Sequence, residues 1–407
     1  MVKLNTALTA MQQAAYDSLE YRRLLAKNIT DQPQMTARLR RLKRWSIGLA
    51  VLGLGLPALR WERTVAVANR LLSPGEKRRN QRFVRRAQAQ LAKRPDIIKI
   101  GITGSYGKTT VKNILAALLQ TKYDVVVSPA SFNTPLGFAR TVQTLTPHSQ
   151  ILIMEMGARH PGDIAEMCEL LQPHHGIITS IGPCHLQTFG DIATVARTKA
   201  ELFDALPADG IAVTDGNNPY CQNLTHPNLH LVTPPEPPFV TPLLGQHNQT
   251  NIALAVALAE QLGIDANTIK RVVANLTPTP HRLQKIVAPN GIVILDDSYN
   301  ANPQSAAAAL DVLKTCPGRK VVQTPGFVEQ GDNQAAAHQT LAAQIQAVAD
   351  AVIIVGELNR AALQAALADC GKPVYFVPNR DAARPLYANL LSAGDTLLLL
   401  NDIPDKY

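Results

Sequence analysis

A short glycine-containing segment carries the residue types that bind the phosphates of a nucleotide. It reads Thr-Gly-Ser-Tyr-Gly-Lys-Thr over residues 103–109, after an apolar run and before a stretch with helical spacing. Glycines let backbone N–H groups approach phosphate oxygens, Lys108 supplies a positive charge, and the hydroxyl of Thr109 can bind magnesium. The strict eight-residue phosphate-loop pattern requires glycine where Ile102 stands, so this is a shorter variant. The pattern predicts an ATP site formed by Gly104, Ser105, Tyr106, Gly107, Lys108, Thr109 and Thr110.

Glu155 is a second candidate for the same site. It follows the apolar run 151–154, and in an open parallel sheet ligands gather at the carboxyl ends of the strands. One carboxylate, one threonine hydroxyl and the phosphates of a substrate suit the preference of Mg²⁺ for oxygen ligands. We therefore expect Thr109 and Glu155 to hold magnesium. The alternatives are a plain turn joining strand to helix at 103–109 and a solvated glutamate at the end of a strand.

The elements that must position these residues alternate between buried strands and helices, which is typical of a parallel sheet covered by helices. The strands predicted in the first series are 97–103, 124–127, 151–154, 176–181 and 211–214. A proline-rich bend at 234–242 and a helix at 248–262 follow. The strands predicted in a second series are 291–295, 320–323, 351–355, 373–377 and 396–400. The second series lacks the Gly-x-Gly-x-x-Gly pattern of dinucleotide sites.

The predicted fold class is therefore α/β, with three parts. Residues 1–94 form a basic, helical region that we expect to associate with membranes. Residues 95–278 form a central ATP-binding domain with a parallel sheet of the phosphate-loop type. Residues 279–407 form a Rossmann-like C-terminal domain.

The positive charge of the chain is concentrated at its N-terminal end. Residues 1–95 contain 20 Lys or Arg and 5 Asp or Glu, whereas the rest of the chain contains 20 and 26. The basic residues surround the uncharged stretch 45–59, and the two tryptophans of the protein, Trp45 and Trp61, bracket it. This combination favours an anionic membrane surface. The stretch is short for a membrane span, and a buried helix with a solvated basic face is the alternative.

Two other classes of partner and site are disfavoured by the sequence. The basic region lacks the interleaved aromatic residues of a nucleic-acid interface, so no nucleic-acid partner is expected. Five scattered cysteines show no zinc spacing and no C-x-x-C pair, which indicates a reducing compartment.

Taken in order, the candidate residues resemble those of the Mur ligase family of ATP-dependent amide-bond-forming enzymes. The resemblance covers residues 97–407 and rests on a series of matching blocks and residues that occur in the family's order. They include the 103–109 segment, Asn133, Glu155, an Ile-Gly-x-x-His stretch ending at His185, Lys199, the run 247–251, Arg282 and Asp297. Further similarity at 155–159, 296–303 and 324–326 is to members that add D-alanyl-D-alanine to a muramoyl peptide.

The resemblance also implies roles for these residues. Lys108 and the loop amides would hold the phosphates of ATP, and Thr109 and Glu155 a first Mg²⁺. His185 and Lys199, the latter carbamylated by CO₂, would serve a second Mg²⁺, and Asn133 would belong to the catalytic set. Asn248, Asn251, Arg282 and Asp297 would contact the nucleotide.

The reaction implied is activation of a carboxylate as an acyl phosphate, which an amine then attacks. The substrates would be D-Ala-D-Ala and a muramoyl-peptide cell-wall precursor, linked to a nucleotide or to a lipid. The N-terminal region differs from a sugar-binding domain and is similar to a membrane-associated branch of the family, so the protein would work in the cytoplasm or at the cytoplasmic face of the bacterial membrane. The alternatives are a family ligase with another acceptor, of the polyglutamate or capsule type, and a non-catalytic nucleotide-binding membrane scaffold.

Overall fold

The computed structural model describes residues 4–13, 37–51, 61–129, 132–299, 301–328 and 333–401. The chain forms two compact units. Among the described residues, one lies within residues 1–85 and the other within residues 86–401.

The first unit contains helices α1 (Leu4–Gln13), α2 (Ala37–Val51) and most of α3 (Trp61–Leu91). Arg41 of α2 donates to both carboxylate oxygens of the buried Glu76 on α3, at 2.7 and 3.1 Å. The three helices bury a small apolar core made of Ala7, Leu8, Ala10, Met11, Leu39, Leu42, Val65 and Ala68.

The apolar stretch predicted at 45–59 is described only in part. Residues 45–51 lie in α2, and residues 52–59 lie outside the described residues. Within the described part of the chain, no helix combines the length and the apolar character needed to cross a membrane.

The second unit contains two six-stranded sheets. The strands of the first are β1 (Ile98–Thr103), β2 (Val125–Val127), β3 (Ile151–Glu155), β4 (His175–Ile178), β5 (Ala212–Asp215) and β6 (Leu229–Val232). Their order is β2-β3-β1-β4-β5-β6, and every neighbouring pair is parallel. The predicted parallel sheet is thus confirmed. The prediction missed β6, because this half-exposed edge strand is not a continuous apolar run.

Helices cover this sheet on both faces. They are α4 (Lys108–Leu119), α5 (Pro135–Val142), α6 (Asp163–Leu171), α7 (Leu186–Phe189), α8 (Ile192–Asp204), α9 (Gln246–Gln261) and α10 (Ala266–Ala274). Apolar residues of α4 and α9 pack with β1 and β3 in one core. Since α4 begins directly after the glycine-containing segment, this core fixes the position of that segment.

The strands of the second sheet are β7 (Gln284–Val287), β8 (Val293–Asp297), β9 (Lys320–Thr324), β10 (Ala351–Val355), β11 (Val374–Val377) and β12 (Thr396–Leu400). Their order is β11-β10-β9-β12-β8-β7. Helices α11 (Pro303–Thr315), α12 (Gln334–Val348), α13 (Arg360–Ala366) and α14 (Arg380–Leu390) connect them. The prediction missed β7, an exposed edge strand that runs antiparallel to β8.

The register of the first sheet brings the predicted phosphate residues to one edge. Ile102 pairs with Glu155, and Thr103 pairs with Ile178, so β1, β3 and β4 end side by side. Glu155 is the last residue of β3 rather than the residue after it, as the sequence suggested. In the second sheet, Asp297 likewise ends β8.

Candidate functional site

The segment after β1 adopts a conformation that only glycine takes without strain. Gly104 and Gly107 have φ angles of 145° and 79°. A Cβ atom at Gly104 would lie 2.0 Å from the hydroxyl of Thr179, and one at Gly107 would lie 2.5 Å from Oδ1 of Asn251. Both positions therefore exclude other side chains, for reasons of backbone angle and of space.

Hydrogen bonds tie this loop to the segment that follows β4. The backbone N–H of Ser105 donates to the carbonyl of Ser180 at 2.8 Å, and the Ser105 hydroxyl donates to the carbonyl of Gly182 at 2.9 Å. The hydroxyl of Thr179 donates to the carbonyl of Tyr106. These contacts hold the loop rigidly above the ends of β1 and β4.

Lys108 and Thr110 lie in the first turn of α4. Gly107 occupies the N-cap position of this helix and has no side chain to cap it, so an anion can accept hydrogen bonds from the first backbone N–H groups. The Lys108 ammonium donates to the carbonyls of Gly104 and Ser105, at 2.7 and 3.3 Å. Burial lowers the pKa of Lys108, while the carboxylate of Glu155 opposes this shift.

Glu155 is the centre of a buried hydrogen-bond cluster. Its Oε2 accepts from the Thr109 hydroxyl at 2.9 Å and from the Lys112 ammonium at 3.1 Å. Its Oε1 accepts from the side-chain amide of Asn133 at 3.3 Å. Lys112 also donates to the carbonyl of Ser128 at 2.9 Å. Thr109, Asn133 and Glu155, which the sequence placed in the catalytic and metal sets, thus lie in direct contact.

Lys112 was not among the residues predicted for the site, although its spacing from Lys108 could have indicated it. Lys112 lies four residues after Lys108 on α4, so the two side chains share one side of the helix. Its side chain is 1% exposed and Glu155 is 2% exposed, which makes this a fully buried ion pair.

Lys199 lies on α8 and is also buried, with 2% of its surface exposed. Burial, reinforced by the positive charge of Lys108, lowers the pKa of Lys199 to about 7. Cys184 is close enough to oppose both of these lysine shifts and lies 3.3 Å from the Ser105 hydroxyl. His185 follows Cys184 with a left-handed φ of 49° and precedes α7.

The two asparagines predicted to contact the nucleotide lie on the first turns of α9. Asn251 donates to Oδ1 of Asn248 at 3.0 Å, and Asn248 donates to the carbonyl of Leu244 at 2.7 Å. Because Asn251 touches Gly107, this pair forms one wall of the phosphate loop. Burial lowers the pKa of the neighbouring His247 to about 4, so its imidazole is neutral at physiological pH.

Arg282 lies in the turn before β7, close enough to the loop to lower the pKa of Lys108, and Asp297 ends β8. The Arg282 guanidinium lies over the ring of Tyr299, 4.7 Å from its centroid. Burial lowers the pKa of Arg282, and the charges of Asp297 and Glu155 oppose the shift. Burial raises the pKa of Asp297 to about 6, although Arg282 and the backbone N–H of Leu283 favour the charged form. Oδ2 of Asp297 is buried without a hydrogen-bond partner among the described residues.

The residues present fit a nucleotide with a magnesium ion. The glycine loop and the helix start offer N–H groups, while Thr109 and Glu155 offer the hard oxygen donors that Mg²⁺ prefers. In the described part of the chain, no three His, Cys, Asp or Glu side chains form a metal site of their own. Any ion held here would therefore need oxygen ligands from the phosphates as well.

The sequence matches two domain families of one class of enzyme. The Mur ligase middle domain matches residues 102–233, and the Mur ligase glutamate ligase domain matches residues 281–400. Together the two matches cover more than half of the chain and include both sheets. The protein belongs to the Mur ligase family.

Within this family, two relatives are named UDP-N-acetylmuramoyl-tripeptide--D-alanyl-D-alanine ligase. The protein of Escherichia coli K12 is 32% identical over 294 residues, which cover 64% of this chain and 65% of that protein. The protein of Bacillus subtilis 168 is 29% identical over 328 residues, covering 74% of this chain and 72% of that protein. The matched region thus spans slightly less than two thirds of the length of the Escherichia coli relative.

Solved structures share the fold at lower identity. MurF from Acinetobacter baumannii superposes with a TM-score of 0.70 at 24% identity, covering 79% of this chain and 78% of that one. MurF from Thermotoga maritima, in complex with ADP, gives a TM-score of 0.67 at 24% identity, covering 79% and 80%. These superpositions establish the α/β fold with its two sheets.

Proposed function

We propose that this protein is an ATP-dependent ligase that adds D-alanyl-D-alanine to a muramoyl-peptide cell-wall precursor. One observation carries the proposal: the phosphate loop, the Thr109–Glu155 pair and Arg282 meet at a single edge of the first sheet. The names of the Escherichia coli and Bacillus subtilis relatives supply the two substrates. The precursor could be linked to a nucleotide or to a lipid.

In this proposal, residues 95–278 bind the nucleotide and residues 279–407 complete the site. The loop amides, the start of α4 and Lys108 bind the phosphates of ATP. Asn248 and Asn251 stiffen the loop from the side through the contact with Gly107. Arg282 and Asp297 reach the same nucleotide from the second sheet.

The first chemical step transfers the terminal phosphoryl group. A carboxylate oxygen of the precursor bonds to the γ-phosphorus, and the bond between phosphorus and the ADP oxygen breaks. Such transfers depend mainly on positioning and on neutralising negative charge. Lys108 and Arg282 supply the positive charges for this purpose, and the partial burial of both groups strengthens their effect.

The second step forms the amide bond. The amino nitrogen of the dipeptide bonds to the acyl carbon, inorganic phosphate leaves, and the nitrogen loses a proton. Approach of the second sheet to the first would exclude water from the acyl phosphate, which water would otherwise hydrolyse.

Thr109 and Glu155 would hold Mg²⁺, with Asn133 and Lys112 orienting the carboxylate from the other side. When bound, the ion offsets the negative charge of the phosphates and polarises the group that is transferred.

Lys199 and His185 would serve a second Mg²⁺. A pKa of about 7 leaves a substantial fraction of Lys199 as the neutral amine, the form that adds CO₂ with loss of a proton. The resulting carbamate would replace a buried cation with an anionic oxygen ligand.

The test is a reaction of the purified chain with Mg-ATP, D-alanyl-D-alanine and either a nucleotide-linked or a lipid-linked muramoyl tripeptide. We expect phosphate release that depends on both substrates and a product heavier by one dipeptide. Lys108→Ala is expected to remove the activity, and Lys122→Ala, a surface lysine at the end of α4, is the matched control. Turnover with glutamate or another amine instead would favour a family ligase with a different acceptor. Nucleotide binding without turnover would favour a non-catalytic nucleotide-binding scaffold.

We also propose that the N-terminal region binds anionic membranes. Trp45 and Ile47 are 48% and 41% exposed on α2, beside the basic residues Arg40 and Arg44. Aromatic and aliphatic side chains next to arginines suit the boundary between lipid head groups and acyl chains.

Flotation with vesicles tests this second proposal. We expect the chain to float with vesicles that contain phosphatidylglycerol and not with phosphatidylcholine alone. The Trp45→Ser/Ile47→Ser variant should lose binding, whereas Val240→Ser/Val287→Ser, which changes two exposed apolar residues of the second unit, should retain it. Equal flotation of both variants with the native chain would contradict the proposal.

A further inference from the structure

The turn that precedes β7 has an unusual backbone around Arg282. His281 and Leu283, on either side of the arginine, have left-handed φ angles of 61° and 46°. Residues with side chains rarely adopt this region, and the strain persists only where surrounding contacts enforce it. Two such residues flanking one arginine indicate that the direction of the arginine depends on this turn.

Contacts with the end of β8 hold the turn on both sides of Arg282. The His281 imidazole lies with Nδ1 2.7 Å from Oδ2 of the buried Asp296. The backbone N–H of Leu283 donates to Oδ1 of Asp297 at 3.1 Å, and the N–H of Tyr299 donates to the carbonyl of His281 at 3.3 Å. The first of these contacts is made by a side chain of the turn itself, and the same Nδ1 also lies 3.4 Å from the Ser298 hydroxyl.

The turn also contacts the helix that carries the phosphate lysine. The side-chain amide of Asn113 on α4 donates to the hydroxyl of Thr279 at 3.1 Å, and the N–H of Arg282 donates to the carbonyl of Thr279 at 3.1 Å. The turn thus lies between α4 of the first sheet and β8 of the second. The guanidinium it carries is close enough to Lys108 and Glu155 to affect their electrostatics.

We infer that His281 is a positioning residue, whose contact with Asp296 holds the strained turn that directs Arg282 toward the nucleotide phosphates. This inference rests on the proposed function for the identity of the ligand. Glycine would fit the backbone angle at position 281 better than histidine. His281 thus combines a strained backbone angle with a side-chain contact to Asp296 that glycine could not make.

Three variants separate the contact from the strain. His281→Gly relieves the backbone and removes the contact. His281→Asn tolerates the left-handed angle and places its amide nitrogen where Nδ1 stands. His281→Gln places its amide nitrogen nearer the position of Nε2, so it serves as the matched control for reach.

The measurements are affinity for a non-hydrolysable ATP analogue by calorimetry, steady-state kinetics and thermal unfolding. We expect His281→Gly to weaken analogue binding and to lower kcat by about tenfold, with an unchanged KM for the dipeptide and an unchanged or higher melting temperature. His281→Asn should restore most of both losses, and His281→Gln should not.

Two results would overturn the inference. One is native affinity and kcat in His281→Gly, and the other is a loss that follows melting temperature and that asparagine does not restore. The proposed function fails separately, if the native chain binds the analogue and turns over no muramoyl peptide. In that case the calorimetric comparison of the variants still decides the role of His281.

Discussion

At the scale of single residues, the site is defined by how each buried charge is compensated. Lys112 has a carboxylate and a carbonyl within hydrogen-bond distance. Lys199 has the ammonium of Lys108 as its neighbour, which together with burial brings its pKa to about 7. These two buried lysines therefore differ in their nearest charges: Lys112 donates directly to a carboxylate, whereas the strongest charge effect at Lys199 comes from another cation.

The first prediction concerns Asp297, whose folded-state pKa is raised to about 6. Between its ordinary value and about 6 the folded protein binds more protons than the unfolded chain, so its contribution to stability falls as the pH rises through this window. Asp297→Asn should therefore stabilise the protein at about pH 8, by on the order of 3 kcal/mol, and have little effect at about pH 4.

Thermal unfolding at several pH values measures this effect, and Asp311→Asn on α11 is the matched control. The same Asp297→Asn variant should bind ATP more weakly. The carboxylate of Asp297 would then lower the stability of the fold while contributing to nucleotide binding. An Asp297→Asn protein less stable than the native chain at about pH 8 would contradict the assignment.

The second prediction concerns the buried pair of Lys112 and Glu155. Lys112→Met leaves a carboxylate buried without its cation, which should lower the free energy of unfolding by about 3–5 kcal/mol. Adding Glu155→Gln should recover part of this loss, because the double variant has no isolated charge. Urea unfolding of the native chain, of the two single variants and of the double variant measures the coupling energy. If the two single losses of stability simply add in the double variant, the pair is not coupled.

At the scale of elements, the decisive feature is the junction of β1 with α4. Two helices of the first sheet begin after a left-handed glycine, namely Gly107 before α4 and Gly162 before α6. Their φ angles of 79° and 87° are similar, but a Cβ would meet Asn251 at the first and open space at the second. A helix that starts after a left-handed glycine is thus not specific by itself, and the surroundings of Gly107 distinguish the proposed phosphate site from the other helix start.

The third prediction compares alanine at these two glycines. Both substitutions should cost about 1 kcal/mol of stability, because both impose a left-handed angle on a residue with a Cβ. Gly107→Ala should cost more, because its Cβ would also lie 2.5 Å from Oδ1 of Asn251. Only Gly107→Ala should also weaken ATP binding, by displacing Asn251 and the loop. Calorimetry with ATP and thermal unfolding of each variant test this, and equal nucleotide affinity in the two variants would argue against the assigned loop.

At the scale of the whole molecule, charge is divided unevenly along the chain. Residues 1–95 carry a large positive excess, while the rest of the chain is net negative. The positive charge of residues 1–95 would therefore attract this region to an anionic surface.

The fourth prediction is that vesicle binding depends strongly on ionic strength. Raising the salt from about 0.05 M to about 0.5 M shortens the screening length severalfold and should release the chain from vesicles that contain phosphatidylglycerol. Flotation across a salt series measures this release, and ATP affinity measured in the same series controls for a general effect of salt. Vesicle binding that does not change with salt would contradict the prediction and would indicate insertion of apolar side chains into the lipid without a contribution from charge.

The sequence by itself determined the fold class and most of the strands of both sheets. Apolar runs such as 151–154 and 396–400 predict burial, because exposure of that much apolar surface is unfavourable. The loop 103–109 could also be predicted from the sequence, since its glycines, lysine and threonine are close together in the chain and their spacing is typical of phosphate binding. The two edge strands were missed because half-exposed strands lack an apolar run.

Only the tertiary structure decided which distant residues share the site. Lys112 pairs with Glu155 across 43 positions, and the His281 turn meets Asp296 across 15. Such contacts depend on strand order and register, and short-range patterns do not encode these. The left-handed angles beside Arg282 were equally hidden, because histidine and leucine give no local sign of a conformation that their surroundings impose.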